Sequence, residues 1–232
     1  MALVLYGGGI ADMRGSVGGN VHSRNRYGNY IRQKTKPVNP NSSAQQIIRN
    51  IMGSVVNRWS NVLSAAQRAA WETYAAAISF TNKLGQSVKL TGANHYIRTN
   101  VVRVQEGILV LDAAPTDLTL PATDALFAIS VSSATQIITV SFDDSAAWAS
   151  ENSARMTIQQ GIPQAQSRQF FNGPFRRIGA LDGSASSPLT SPQTIAVDFA
   201  VAVDQRLWAK GRILRADGRL SEFFRNDTTI IA

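Results

Sequence analysis

Two histidines, His22 and His95, are the side chains of this 232-residue chain that titrate near neutrality without help from their surroundings. They lie in different segments. Neither has a second ligand at H-x-x-x-H or H-E-x-x-H spacing, so each reads as an ordinary polar or stacking residue rather than a metal ligand. Asp143, Asp144 and Glu151 put three carboxylates close in sequence, which is calcium chemistry in outline. There is no EF-hand glycine and no ladder of further oxygen ligands, so a solvated loop is the simpler reading. No serine stands in G-x-S-x-G. Cysteine is absent, which excludes thiolate nucleophiles, disulfides and Cys-zinc sites. Gly7, Gly8, Gly9, Gly15, Gly18, Gly19 and Gly28 resemble a phosphate cradle only in composition. No Gly-Lys-Ser/Thr follows them, and a dinucleotide fingerprint is missing. Catalysis needs groups of tuned pKa held together, and no such set is visible. The sequence is therefore expected to be no enzyme, with no cofactor and no metal.

The chemistry that remains is recognition. Residues 6–46, YGGGIADMRGSVGGNVHSRNRYGNYIRQKTKPVNPNSSAQQ, are rich in Gly, Asn and Arg and hold no run able to form a core. The net charge of +8 is concentrated here. From Met1 to Trp71 there are nine basic residues against Asp12 alone, whereas the remainder carries fourteen of each sign. Such asymmetry points to an acidic partner surface. Arginines and tyrosines alternate in SRNRYGNYIRQK, which suits an extended peptide laid along a sheet edge with alternate side chains in pockets. The docking residues predicted are Arg14, Arg24, Arg26, Tyr27, Tyr30, Arg32, Lys34 and Lys36. The same run also suits nucleic-acid phosphates with aromatic stacking, as the weaker reading.

These residues need elements to hold them. Residues 1–42 are expected to be an extended basic docking arm, ended by Pro37 and Pro40. Ser42 or Ser43 caps a helix, with Gln45 or Gln46 completing a capping box. Ile47, Ile48, Ile51, Met52, Val55, Val56 and Trp59 recur at helical spacing and form one stripe. Ser64 and Gln67 make a second capping box, before Trp71, Tyr74, Ala75 and Ile78. The core of this helical unit is assigned to Ile47, Ile51, Val55, Trp59, Trp71, Tyr74 and Ile78. TNKLGQSVKLTG has turn signals at Asn82 and Gly85 and reads as a small hairpin. Thr91 caps a third helix, closed by Gly107, with Tyr96, Ile97, Val101 and Val104 as its apolar face. The helical unit covers 43–112.

AAPTDLTLP, at 113–121, is a boundary, and beyond it the apolar period drops to two. FAISVSS, QIITVSFD, ARMTIQQG, FRRIGAL, TIAVDFAV, RLWAKGRIL and RLSEFFRND are seven short strands, consistent with a β-sandwich over 113–232. The fold class expected is α+β: extended arm, three-helix unit, C-terminal sandwich. There is no apolar run long enough for a membrane helix. MALVLYGGG lacks the basic and long apolar regions of a signal peptide.

Three resemblances can be named. PTDLTLP and the final hairpin LWAKGRILRADGRLSEFF, with Asp217-Gly218 at the turn, resemble a fibronectin type III or related immunoglobulin-like domain. Trp148 lies in an acidic loop and Trp208 in a late strand. GSVGGNVHSRNRYGNYIR, KPVNPNSSAQQ, NRWSNVLSAAQRAAWETYA and LTGANHYIRTN, in that order, resemble small proteins of tailed-bacteriophage structural gene clusters. That resemblance implies a virion component assembled in the host cytoplasm. Its expected role is capsid decoration (cement), with a head–tail connector or tail component as the alternative. Partners implied are other virion proteins, the major capsid protein first or portal and tail proteins, with self-association open and no membrane. Lastly, W-x-x-x-L-S-x-x-Q-R-x-x-W is similar to the second half of an HMG box, which would make the chain a DNA binder using the arm and helices. In that case Ile47, Ile51 and Met52 would be wedges.

Overall fold

The computed structural model describes residues 2–232. They form an α+β protein of three helices and antiparallel sheets. The described residues divide into two compact units, one of residues 2–101 with 112–118, the other of 102–111 with 119–232.

The first unit opens on a small sheet where a single extended arm was expected. β1 (Ala2–Leu3), β2 (Gly15–Val17), β3 (Asn20–Asn25) and β4 (Gly28–Gln33) pair in the order β1-β4-β3-β2. Two tight turns explain the difference. Gly18, at φ +58°, and Gly19 make the two-residue link from β2 to β3. Such a link demands left-handed backbone that glycine adopts without a steric cost. Arg26 and Tyr27 make the next turn, where the Asn25 side chain accepts from the Tyr27 N–H and Gly28 sits at φ +116°. A stretch too polar for a core thus satisfies its backbone by pairing with itself.

α1 (Ser43–Asn61) starts at Ser42, whose hydroxyl accepts from the Gln45 N–H. α2 (Ala65–Ala77) starts at Ser64 with a full capping box to Gln67. Each cap is worth about 1 kcal/mol of helix stability. β5 (Phe80–Thr81) and β6 (Ser87–Val88) form the hairpin expected around Asn82, whose side-chain oxygen accepts from the N–H groups of Leu84 and Gln86. α3 (Gly92–Gln105) follows, capped by the Thr91 hydroxyl accepting from the Asn94 N–H. Its last turn, from Val102, counts with the second unit. There Gly107 is left-handed at φ +72°, and the Ile108 and Gly107 N–H groups return to the carbonyls of Arg103 and Val104. This is a Schellman ending.

Gly92 marks the tightest approach in this unit. A Cβ there would lie 2.6 Å from the Glu72 backbone nitrogen and 2.7 Å from the Trp71 carbonyl carbon. Gly92→Ala should therefore destabilise the helical unit by about 2–3 kcal/mol, because backbone cannot swing aside as a side chain would. Segment-resolved amide exchange over α2 and α3 checks this; unchanged protection would refute it.

In the second unit all seven expected strands are present, with one short addition. They are β7 (Ala128–Ser132), β8 (Ile137–Ser141), β9 (Arg155–Gly161), β10 (Gln164–Ala165), β11 (Phe175–Asp182), β12 (Gln193–Ala196), β13 (Gln205–Leu214) and β14 (Phe224–Thr229). One sheet runs β12-β8-β7, the other β10-β13-β9-β11 with β14 on β13. A single apolar cluster draws Ile129, Val131, Ile138 and Val140 from the first sheet and Met156, Ile158, Leu207 and Ile213 from the second. Alternation along each strand delivers these residues to one face. Trp148, in a loop by sequence, is buried in this cluster 5.3 Å from the Phe142 ring.

Candidate docking surface

The N-terminal sheet distributes the predicted docking residues rather than gathering them. Arg32 pairs with Val21 and Tyr30 with Ser23, so Tyr30 and Arg32 share one face. Arg24 pairs with Asn29 and falls on the other, since neighbours along a strand point oppositely. Arg26 and Tyr27 lie in the turn, and both are used inside the unit. The Arg26 guanidinium donates to the Lys89 carbonyl at 2.9 Å, and the Asn82 side-chain amide donates to the Tyr27 carbonyl at 2.9 Å. Arg14 is paired with Asp12 at 3.0 Å. Lys34 and Lys36 are exposed beyond the sheet. One continuous grip of eight residues is therefore not what the fold builds. The turn is moored to the β5–β6 hairpin, and the free cations are presented on two faces and a tail.

The second exposed feature is α1. Val55 is fully buried, Trp59 is half-buried against Tyr96 at 5.3 Å, and Ile51 is half-buried. Trp71, Tyr74 and Ile78 are buried. Ile47, assigned to the core from periodicity, is 58% exposed. Ile48, Met52 and Val56 are exposed as well. Periodicity identifies an apolar stripe but not what covers it, and in the first half of α1 the described residues supply no cover. No acidic residue lies on α1, whereas Arg49 and Arg58 do. Of the three residues expected as HMG-type wedges, Ile47 and Met52 stand in the open and Ile51 is half-buried.

What holds the three helices together was only half visible in the sequence. Asp112 accepts from Arg58 through both carboxylate oxygens, at 2.7 and 2.6 Å, and from the Tyr96 hydroxyl at 3.0 Å. Its backbone carbonyl accepts from the Trp71 indole at 3.0 Å. The Arg58 guanidinium, and secondarily the Tyr96 hydroxyl, hold the Asp112 carboxyl below the usual carboxylate range, against the opposing effect of burial. Burial first, then the Asp112 contact, pushes the Tyr96 hydroxyl up. α3 also buries a different face from the one expected. Ile97, Val101 and Val104 are half-buried, while His95, Tyr96, Thr99, Asn100 and Arg103 are buried. Polar side chains hide this face from a search for apolar residues. Their recurrence at three and four residues is the signal that could have found it.

His95 sits with its ring against Tyr74 at 5.2 Å and Phe80 at 5.7 Å, and its Nε2 has no hydrogen-bond partner. Burial, aided by the Arg98 charge, lowers it to about 4. His22 meets the Tyr6 hydroxyl at 3.0 Å. The carboxylates considered for calcium are each engaged separately. Asp143 accepts from Ser145, Asp144 from the Ser191 N–H, and Glu151 from Arg215 and the Ala216 N–H. Among the described residues no group of three His, Cys, Asp or Glu side chains is placed to hold a metal ion. No described helix is long and apolar enough to cross a membrane. A cleft of about 270 Å³ opens in the second unit between residues 121–126, Trp148 and Arg215. It is smaller than the usual ligand pocket, and its Asp124 is committed to the backbone N–H groups of Leu126 and Asp143.

No protein-family model matches the chain, and no curated protein matches it. Among solved structures that match in part is a family 76 glycoside hydrolase from a bovine Bacteroides thetaiotaomicron strain. It is 14% identical, with a TM-score of 0.32, over 46% of this chain and 20% of the hydrolase chain. The matched part of the chain spans about a fifth of that enzyme's length. A likeness so slight assigns this chain no activity, and the expectation that the protein is no enzyme is withdrawn. The physical reason is general: missing motifs do not exclude catalytic groups that meet only in the tertiary structure.

Proposed function

We propose that the chain is a structural component of a tailed-phage virion, a capsid decoration protein that docks through its first unit. The observation carrying this reading is the placement of charge and exposed apolar surface. The first unit has twelve basic against four acidic residues, while the second has eleven of each. The same unit leaves the first half of α1 uncovered. A basic surface with an apolar stripe suits an acidic, partly apolar partner such as a capsid subunit, and many weak copies add through avidity. The order of motifs resembling phage structural proteins supports the same assignment. The second unit fits an immunoglobulin-like sandwich, since two antiparallel sheets contribute to one apolar cluster.

The test is incorporation. Particles assembled with a chain lacking residues 2–40, or carrying Ile47→Ser with Met52→Ser, should retain less than about a tenth of the wild-type copies. That loss corresponds to at least about 1.4 kcal/mol of docking energy. Wild-type levels in both variants would overturn the proposal. Copy number by mass spectrometry separates the positions: on the order of hundreds per particle fits decoration, and a ring-sized number of about six or twelve fits a connector or tail component.

A further inference from the structure

The five-stranded sheet of the second unit has a face that the docking proposal does not use. Leu207, Ala209 and Ile213 of β13 enter the apolar cluster, so Lys210 and Arg212 point to the opposite side. Lys210 pairs in register with Arg225 of β14, which puts two cations directly opposite each other across the strands. Like charges in that position are unfavourable unless something uses them. Neither finds a carboxylate among the described residues. The Lys210 ammonium rests over the rings of Phe175 at 4.6 Å and Phe223 at 4.2 Å. The Arg212 guanidinium lies 3.8 Å from the Phe223 centroid and that of Arg225 5.3 Å from the Phe170 centroid. By contrast, Arg206 of the same strand is neutralised by Asp227 at 2.6 Å. Burial, together with the Arg212 charge, lowers the Lys210 pKa, so this ammonium is partly stripped of water. The rings beside the cations are open: Phe170 is 58% and Phe223 41% exposed.

We infer that this face binds single-stranded nucleic acid, with phosphates on Lys210 and Arg225 and bases against Phe170 and Phe223. A cationic platform with interleaved aromatic rings is the arrangement that tracks an unpaired strand, because every base offers a face to stack. An acidic protein surface would be met by the cations alone and would leave the rings without a role. A duplex hides its base faces and could use only the charges. The inference is independent of docking by the first unit.

Fluorescence anisotropy on the full chain, with labelled oligo-dT, oligo-rU and a duplex of the same length, tests it. The wild type should bind both single strands more tightly than the duplex, with affinity falling steeply as salt rises. Lys210→Gln with Arg225→Gln should weaken binding at least about tenfold and flatten the log–log salt dependence by about 1.4, for two phosphate contacts on a single strand. Phe170→Leu with Phe223→Leu should weaken it about tenfold with the salt dependence unchanged. Arg24→Gln with Arg32→Gln, in the N-terminal sheet, should bind as wild type. The single variant Phe223→Leu serves if the double cation variant fails to melt within about 3 °C of wild type. No binding at low salt, equal binding to the duplex, indifference to the phenylalanine changes, or loss confined to the Arg24/Arg32 variant would each overturn the inference.

Discussion

Lowering the pH from about 7 to about 4 should remove on the order of 3 kcal/mol from the stability of the first unit, through His95 alone. The ring is buried, its folded pKa is about 4, and the ordinary value is 6.5. Between those values the unfolded chain binds a proton that the folded chain refuses. The stabilisation from neutral His95 is therefore complete above about 6.5 and lost progressively as pH falls toward 4. Protonation would place a charge between the Tyr74 and Phe80 rings, beside Arg98. His95→Gln and His95→Leu cannot take up that proton and should show a nearly flat stability over this window. Denaturant midpoints read by amide exchange in α2 and α3 give the answer. A wild-type slope that persists in both variants would place the titration elsewhere.

Asp112→Ala should cost about 3 kcal/mol at neutral pH and loosen α1, α2 and α3 together. The carboxylate serves Arg58 and the fully buried Tyr96, and both would be left without it. Removing one partner of a hydrogen-bonded, half-buried pair costs more than the pair itself contributes, because the survivor stays desolvated. Asp112→Asn should cost less, about 2 kcal/mol, since its side-chain oxygen can still accept from Tyr96. The acid dependence has the opposite origin from that of His95. The Asp112 pKa is depressed in the fold, so its contribution is complete above about 3.9 and is lost only as pH falls below that. The two groups are thus separable on one pH series. A double-mutant cycle with Arg58→Ala should recover a coupling of about 1–3 kcal/mol; additive costs would refute the shared hub.

Much of the architecture was legible because it is local. Ser42 and Ser64 cap helices where their spacing to Gln45 and Gln67 says they should. The seven period-two runs after residue 121 all form strands. Turn chemistry at Asn82 and Gly107 reads directly from residue type. The errors have one source, the absence of information about what lies opposite. In the N-terminal run the scarcity of apolar residues argues against a fold, yet turns at Gly18-Gly19 and before Gly28 close β2–β3 and β3–β4 into a sheet. Splitting Arg24 from Tyr30 and Arg32 follows at once from that pairing.

By itself the sequence determined the helix starts, the strand alternation, the position of the charge and the absence of thiol chemistry, all of which depend on residue type and short spacing. Only the tertiary structure decided that Ile47 is uncovered while Val55 is buried, and that Asp112 joins Arg58, Trp71 and Tyr96. It alone placed Lys210 opposite Arg225. Burial and cross-strand pairing join residues far apart in the chain, and their energies arise from packing and desolvation that no local pattern carries.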